Sequence, residues 1–142
     1  MRLSRLSMGA AALGLALGAA VLTTAAASAT ATDCVGSSAT ASCINVQGSG
    51  THVNWIKGGA ELAPHKSARG YFKITDASGM VGKTTKTVTL SNNSSTAQTK
   101  WGPAVTLNRN LPNGDKVCAT FYELKPSGAL TRHSPACKTI KK

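Results

Sequence analysis

The chain has 142 residues, with 16 Lys and Arg against 5 Asp and Glu, for a net charge of +11. That length suits one domain and leaves no linker to set off a second. The charge favours anionic partners: nucleic acid, phosphate-bearing wall polymers, acidic polysaccharide or an acidic protein.

The first residues read as a secretory signal peptide. Arg2 and Arg5 form a basic start, Met8 to Leu22 is an uncharged run of small and apolar residues, and Ala25 to Ala31 is small throughout. The apolar run is about 15 residues, short of the roughly 20 that span a bilayer, so no membrane anchor is expected. Cleavage is expected after Ala29 or Ala31. Asp33 precedes Cys34 where a lipid anchor needs a small residue, so free release outside the cell is expected. Taking residues 1–31 as the leader leaves 111 residues at a charge of +9, because Arg2 and Arg5 go with it.

Residues 32–142 then read as a single domain. Thr32 to Thr40 is a small, polar tail unless Cys34 ties it down. Ile44 and Val46 alternate with Cys43, Asn45 and Gln47, the pattern of a strand with one buried face. After a turn at Gly48-Ser49-Gly50, His52 to Ile56 alternates again, with Val53 and Trp55 on one face; Gly58-Gly59 is expected to end it. A loop around Pro64 follows, then a strand from Gly70 to Thr75, stopped by Asp76-Ala77-Ser78-Gly79. Lys83 to Leu90, rich in threonine, reads as a strand with one wet face. Ser91 to Gln98 is a polar loop in which Asn92 and Asn93 fit the glycosylation pattern. Trp101 and Ala104 to Leu107 make a strand interrupted by Gly102-Pro103, where proline demands an edge, a bend or a bulge. The chain closes with a hairpin: Asn113-Gly114 turns into Lys116 to Glu123, and Pro126-Ser127-Gly128 turns back toward Ile140. No segment of this part shows a sustained helical period. The expectation is all-β, a small antiparallel β-sandwich of about seven short strands with two disulfides.

Four cysteines, Cys34, Cys43, Cys118 and Cys137, follow the signal peptide, and an even count there implies two disulfides. None has metal-clip spacing, so no structural zinc and no cofactor is expected. Three pairings are open. Cys43, Trp55 and Cys118 resemble the immunoglobulin layout, which implies a sandwich with a Cys43–Cys118 bridge. Yet Lys116 stands where that family has tyrosine two residues before its second cysteine. Alternation also turns both Cys43 and Cys118 away from the core. Neighbour pairing, Cys34 with Cys43 and Cys118 with Cys137, is favoured. In style, the Ala-rich leader and the Gly, Ser, Thr and Lys usage resemble small secreted proteins of streptomycetes. That resemblance implies roles such as protease inhibition, antimicrobial action, wall association or service as subunits of exported assemblies.

The parts for catalysis are few. The histidines are His52, His65 and His133; the acids are Asp33, Glu61, Asp76, Asp115 and Glu123. The acids fall mostly in or beside turns, a poor source for the carboxylate pair of a glycosidase. The one enzymatic alternative is a small basic ribonuclease with Glu123 and His133 as base and acid and Arg132 on the phosphate, or more loosely Glu61 with His65. The preferred reading is a non-catalytic binding protein, whose partner is an extracellular protein (as inhibitor, subunit or adaptor) or an anionic envelope polymer. Trp101 is the first choice for an exposed ring. Lys83, Lys86 and Lys138, with Lys141 and Lys142, are the candidates for a basic face that grips an anionic polymer, nucleic acid included.

Overall fold

The computed structural model describes residues 31–36 and 40–142. The expected signal peptide therefore lies outside them, apart from Ala31. Ten strands are present rather than about seven: β1 (Ala31–Val35), β2 (Thr40–Ser49), β3 (His52–Leu62), β4 (Ser67–Asp76), β5 (Gly82–Thr84), β6 (Val88–Ser91), β7 (Gln98–Asn110), β8 (Lys116–Leu124), β9 (Leu130–Arg132) and β10 (Ala136–Thr139). They form two antiparallel sheets, β1-β2-β3-β7 and β10-β8-β4-β5. In the second, β6 pairs with β4 beyond β5, and β9 pairs with β8 beyond β10. No helix occurs among the described residues.

The extra strands have local causes. Residues 31–35, part of the expected tail, are held as β1 against β2 by the Cys34–Cys43 bridge. The threonine-rich run divides into β5 and β6 because Thr85 replaces a ladder partner: its N–H donates to the Phe72 carbonyl (2.9 Å), and its Oγ1 accepts from the Phe72 N–H (2.9 Å). The expected return arm of the hairpin is likewise two strands, β9 and β10, with His133 between them donating its N–H to the Phe121 carbonyl (2.9 Å).

Gly58-Gly59 does not end a strand; β3 runs through it. The glycines make room for rings. A Cβ on Gly58 would lie 2.5 Å from the Phe72 ring, and one on Gly102 of β7 would meet the same ring at 2.5 Å. Phe72 fills the space that two missing side chains leave, and its ring centre is 4.9 Å from that of Phe121.

Alternation assigns the faces. Ile44, Val46, Ile56, Ala60 and Leu62 of the first sheet share one apolar cluster with Phe72, Ile74, Val117, Ala119 and Phe121 of the second. The sheets also touch through a buried polar contact: the Phe121 N–H donates to Ser42 Oγ at 3.1 Å, and Ser42 is fully buried. That bond satisfies a backbone donor where the β8 edge passes from β10 to β9.

The disulfides are Cys34–Cys43 and Cys118–Cys137, each joining residues directly opposite on paired strands. Both lie on the faces turned away from the apolar cluster. Disulfides of this kind belong to an extracellular or otherwise oxidising compartment. No helix among the described residues is long and apolar enough to cross a membrane.

Candidate functional site

The hairpin brings Glu123 and His133 together. Alternation puts Glu123 on the same side of β8 as Phe121, at the edge of the apolar cluster. His133 stacks on Phe121 with ring centres 5.6 Å apart. The His133 Nε2 lies 2.9 Å from Glu123 Oε2, and Lys125 Nζ lies 2.9 Å from Oε1. Side-chain exposure is 12% for Glu123 and 16% for His133. Burial works to raise the Glu123 carboxyl. The hydrogen bonds and charges of Lys125 and His133 outweigh it and hold the group below its ordinary value. Both carboxylate oxygens are thus occupied within the protein.

Arg132 is not part of this cluster. It stands opposite Tyr122 in the β8–β9 register, and its Nε donates to the Tyr122 hydroxyl at 3.2 Å. Neighbouring strand residues point to opposite faces. The cation expected to clamp a phosphate therefore sits on the far side of the ribbon from the acid–base pair. Of the looser pair, Glu61 lies in β3, and His65 is exposed in the following turn with a left-handed φ of 56°; no hydrogen bond or ion pair joins them.

The lysines singled out by the sequence divide between two edges. Lys83 on β5 and Lys86 just beyond it are exposed at one edge of the second sheet. Lys138 on β10 is at the opposite edge, 3.4 Å from Asp33 of β1, beside a shallow groove that Cys137, Thr139 and Lys141 also line. Between these edges lies the outer face of the second sheet, where sequence reasoning missed Arg69, Lys73 and Lys116. Arg69, Tyr71 and Lys73 alternate along β4 with buried Ala68, Gly70, Phe72 and Ile74. Across the same face come Tyr122 and Lys116 of β8 and Arg132 of β9. The two tyrosines stack, ring centres 5.2 Å apart and planes 7° from parallel. None of the five acids is on this face: Asp33 and Glu61 belong to the other sheet, Glu123 points the opposite way, and Asp76 and Asp115 meet at one end of the molecule. The signal was available in Arg69-Gly70-Tyr71-Phe72-Lys73, where cation, aromatic and cation recur at a period of two.

Those two aspartates join two turns. Asp115 accepts from the Ser78 N–H (3.2 Å) and Ser78 Oγ (2.9 Å), while Asp76 accepts from Ser78 Oγ and from the Val81 (2.8 Å) and Met80 (3.2 Å) N–H groups. Burial pushes the Asp76 carboxyl up, but these bonds prevail and hold it below its ordinary value.

Trp101 lies on the outer face of the first sheet, partly exposed, opposite Gly59. Trp55 is on that face too, not beside Val53 as simple alternation predicts. The β3–β7 register shifts between Val53 and Trp55, and the shift turns the indole outward. Cys34, Cys43 and Glu61 also gather on this side, but both sulfurs are consumed in the disulfide and no thiolate remains for a metal.

Comparisons with protein-family models, with curated proteins and with solved structures returned no match for this chain.

Proposed function

We propose that this chain is a secreted, non-catalytic binding protein that holds an anionic envelope polymer on the outer face of its β10-β8-β4-β5 sheet. The observation that carries this reading is the segregation of charge. Arg69, Lys73, Lys116 and Arg132 share a face with two stacked tyrosines, and all five acids lie elsewhere. Cations on a flat sheet with no internal counter-ion attract a polyanion along its length. The shared apolar cluster supports reading the two sheets as layers of an antiparallel sandwich with an immunoglobulin-like layout, which would leave both outer faces free. The leader and the disulfides support export. Glu123 and His133 are read as a structural pair, because both Glu123 carboxylate oxygens and His133 Nε2 are already engaged and Arg132 faces away from them.

The test is retention on immobilised polyphosphate and on polygalacturonate. The Arg69→Gln/Lys73→Gln/Arg132→Gln variant is expected to elute at clearly lower salt than the native protein. Its salt dependence should be shallower by two or three contacts, at roughly 0.7–0.9 in log–log slope per phosphate neutralised. A control variant, Lys83→Gln/Lys86→Gln/Lys142→Gln, removes equal charge from edges and the C-terminus. If the two variants elute together, net charge alone explains retention and the face has no role.

A protein partner is the second reading, favoured by the turn at residues 63–66. Pro64, His65 and Lys66 are exposed, while Asn92 grips the Leu62 and Ala63 carbonyls from behind. A rigid, displayed loop suits an inhibitor or adaptor. Capture of one secreted protein by the native chain, lost on His65→Ala/Lys66→Ala, is the result that reading requires.

A further inference from the structure

The chain has two tryptophans, and both lie on the outer face of the β1-β2-β3-β7 sheet, the face opposite the basic one. We infer that this face is a second binding site, a platform that takes the sugar rings of an extended polysaccharide on Trp55 and Trp101. The inference stands apart from the polyanion reading, because it uses the other sheet and other residues.

Trp101 stands opposite Gly59 in the β3–β7 register. A Cβ on Gly59 would come within 2.6 Å of the indole Cε3 and 2.8 Å of Cζ3. The ring therefore rests directly on the backbone of β3, in a space that any other residue would fill. The benzo ring atoms Cε3 and Cζ3 are held against the strand, and the residue as a whole is only partly covered, so part of it is open to solvent. Exposed indole surface is what the C–H face of a pyranose packs against, with its hydroxyls left free around the rim.

Trp55 lies four residues from Gly59 along the same strand, roughly 13 Å at a rise of about 3.3 Å per residue. That separation matches non-adjacent rings of one extended chain better than a single small ligand. The surface between the indoles is polar and low: Asn45, Lys57 and Ala104 occupy one row across β2, β3 and β7. Thr99 and Thr106 flank it on β7. None of the described residues on this face is Leu, Ile, Val or Phe, so neither a lipid surface nor an apolar protein patch finds its complement here. Two rings with hydroxyls, an amide and an ammonium between them match a sugar chain, which alternates apolar faces with hydroxyl edges.

Lys57 adds a specific feature. Its Nζ sits 4.9 Å from the Trp55 ring centre, where a sugar stacked on that indole would present its ring substituents. Directly across on β2, Asn45 Oδ1 has no hydrogen-bond partner among the described residues. A saccharide that displaces the ammonium from the indole leaves Lys57 a hydroxyl or a carboxylate on the sugar itself as its acceptor. The shared ligand chemistry is the pyranose ring; whether it is neutral or acidic is for the experiment to separate.

Because no other tryptophan exists in the chain, intrinsic fluorescence reports this face alone. The oxidised native protein is titrated with cello- and chito-hexaose as neutral probes and with oligogalacturonate as the acidic one. At least one probe is expected to shift emission saturably and to shield the indoles from acrylamide. Trp55→Ala and Trp101→Ala should each weaken that probe roughly tenfold, the loss expected for one buried ring face. The Arg69/Lys73/Arg132 variant should respond as the native protein does, which keeps this site distinct from the basic face. The inference is overturned if no probe shifts emission or protects the rings, or if both alanine variants bind as tightly as the native chain. Should Trp101→Ala fail to fold, protection of the native indoles decides the matter.

Discussion

Asn92 is the residue whose loss should be felt most for its size. It is 1% exposed. Its Nδ2 donates to the carbonyls of Leu62 (3.0 Å), Ala63 (3.1 Å) and Thr96 (2.8 Å), and its Oδ1 accepts from the Ser94 N–H (2.9 Å). Two amide protons thus serve three acceptors, and one side chain ties the β3–β4 connection to the β6–β7 connection. Asn92→Ala removes the partner of these carbonyls and one N–H, the Leu62 carbonyl from a buried bond and the others from partly buried ones. At about 1 kcal/mol for each net hydrogen bond, and more for orphaned groups, the cost is about 2–4 kcal/mol. For a domain near 110 residues that is a fall in Tm of roughly 8–16 °C, at about 4 °C per kcal/mol. Asn92→Asp should cost more at neutral pH, because a carboxylate would face the carbonyl oxygens. Unlike the alanine variant it should recover part of the loss in acid, where the protonated group can donate again. Calorimetry of the oxidised protein and both variants at pH 7 and pH 4 checks this. A Tm within 3 °C of native for Asn92→Ala would refute the reasoning, since the buried carbonyls would then have found other donors. The burial also bears on the glycosylation pattern: a side chain sealed on three carbonyls offers no acceptor nitrogen, whereas Asn93 is exposed.

Gly58→Ala should destabilise by about 1–3 kcal/mol or more, because the new methyl lies 2.5 Å from the Phe72 ring in the packed core; urea unfolding with an unchanged midpoint would show that the ring has room to move. Glu123 and Asp76 are both held below their ordinary values, so the native state binds protons less readily than the unfolded chain. Their stabilisation is fully present above the ordinary carboxylate range near pH 4 and is lost as pH falls through the lowered values; a urea midpoint that stays flat from pH 5 to pH 2 contradicts this. Glu123→Gln should flatten part of that acid slope. It should leave polyanion retention unchanged, since the pair faces away from Arg69, Lys73 and Arg132.

Much of the fold is legible in the chain because strand alternation is a local property. Ile44 with Val46, and Val117 with Ala119 and Phe121, declare their buried faces, and the same parity turns Cys43 and Cys118 outward, toward their neighbours Cys34 and Cys137. Gly102-Pro103 is legible as an edge, a bend or a bulge, since proline has no N–H to give; the structure makes it an irregularity on the edge strand β7. The Gly58-Gly59 pair misleads for a physical reason. A missing side chain means a turn only if nothing else needs the space, and here Phe72 and Trp101 come from distant strands to occupy it. Trp55 misleads because a register shift against β7 breaks the parity on which the local reading depends.

The proposed binding surfaces divide in the same way. That Arg69, Tyr71 and Lys73 face together follows from alternation alone. The sequence by itself pointed to an all-β chain, favoured its neighbour disulfides and determined its charge and its few histidines and acids, because each depends on composition or on residues close in the chain. Only the tertiary structure decided which face of each alternating pair is covered. It alone set Phe72 against Gly58 and Gly102, and it alone laid Trp101 on Gly59. Those outcomes rest on strand pairings between residues far apart in the chain, and a period of two is the same for every pairing it could have made.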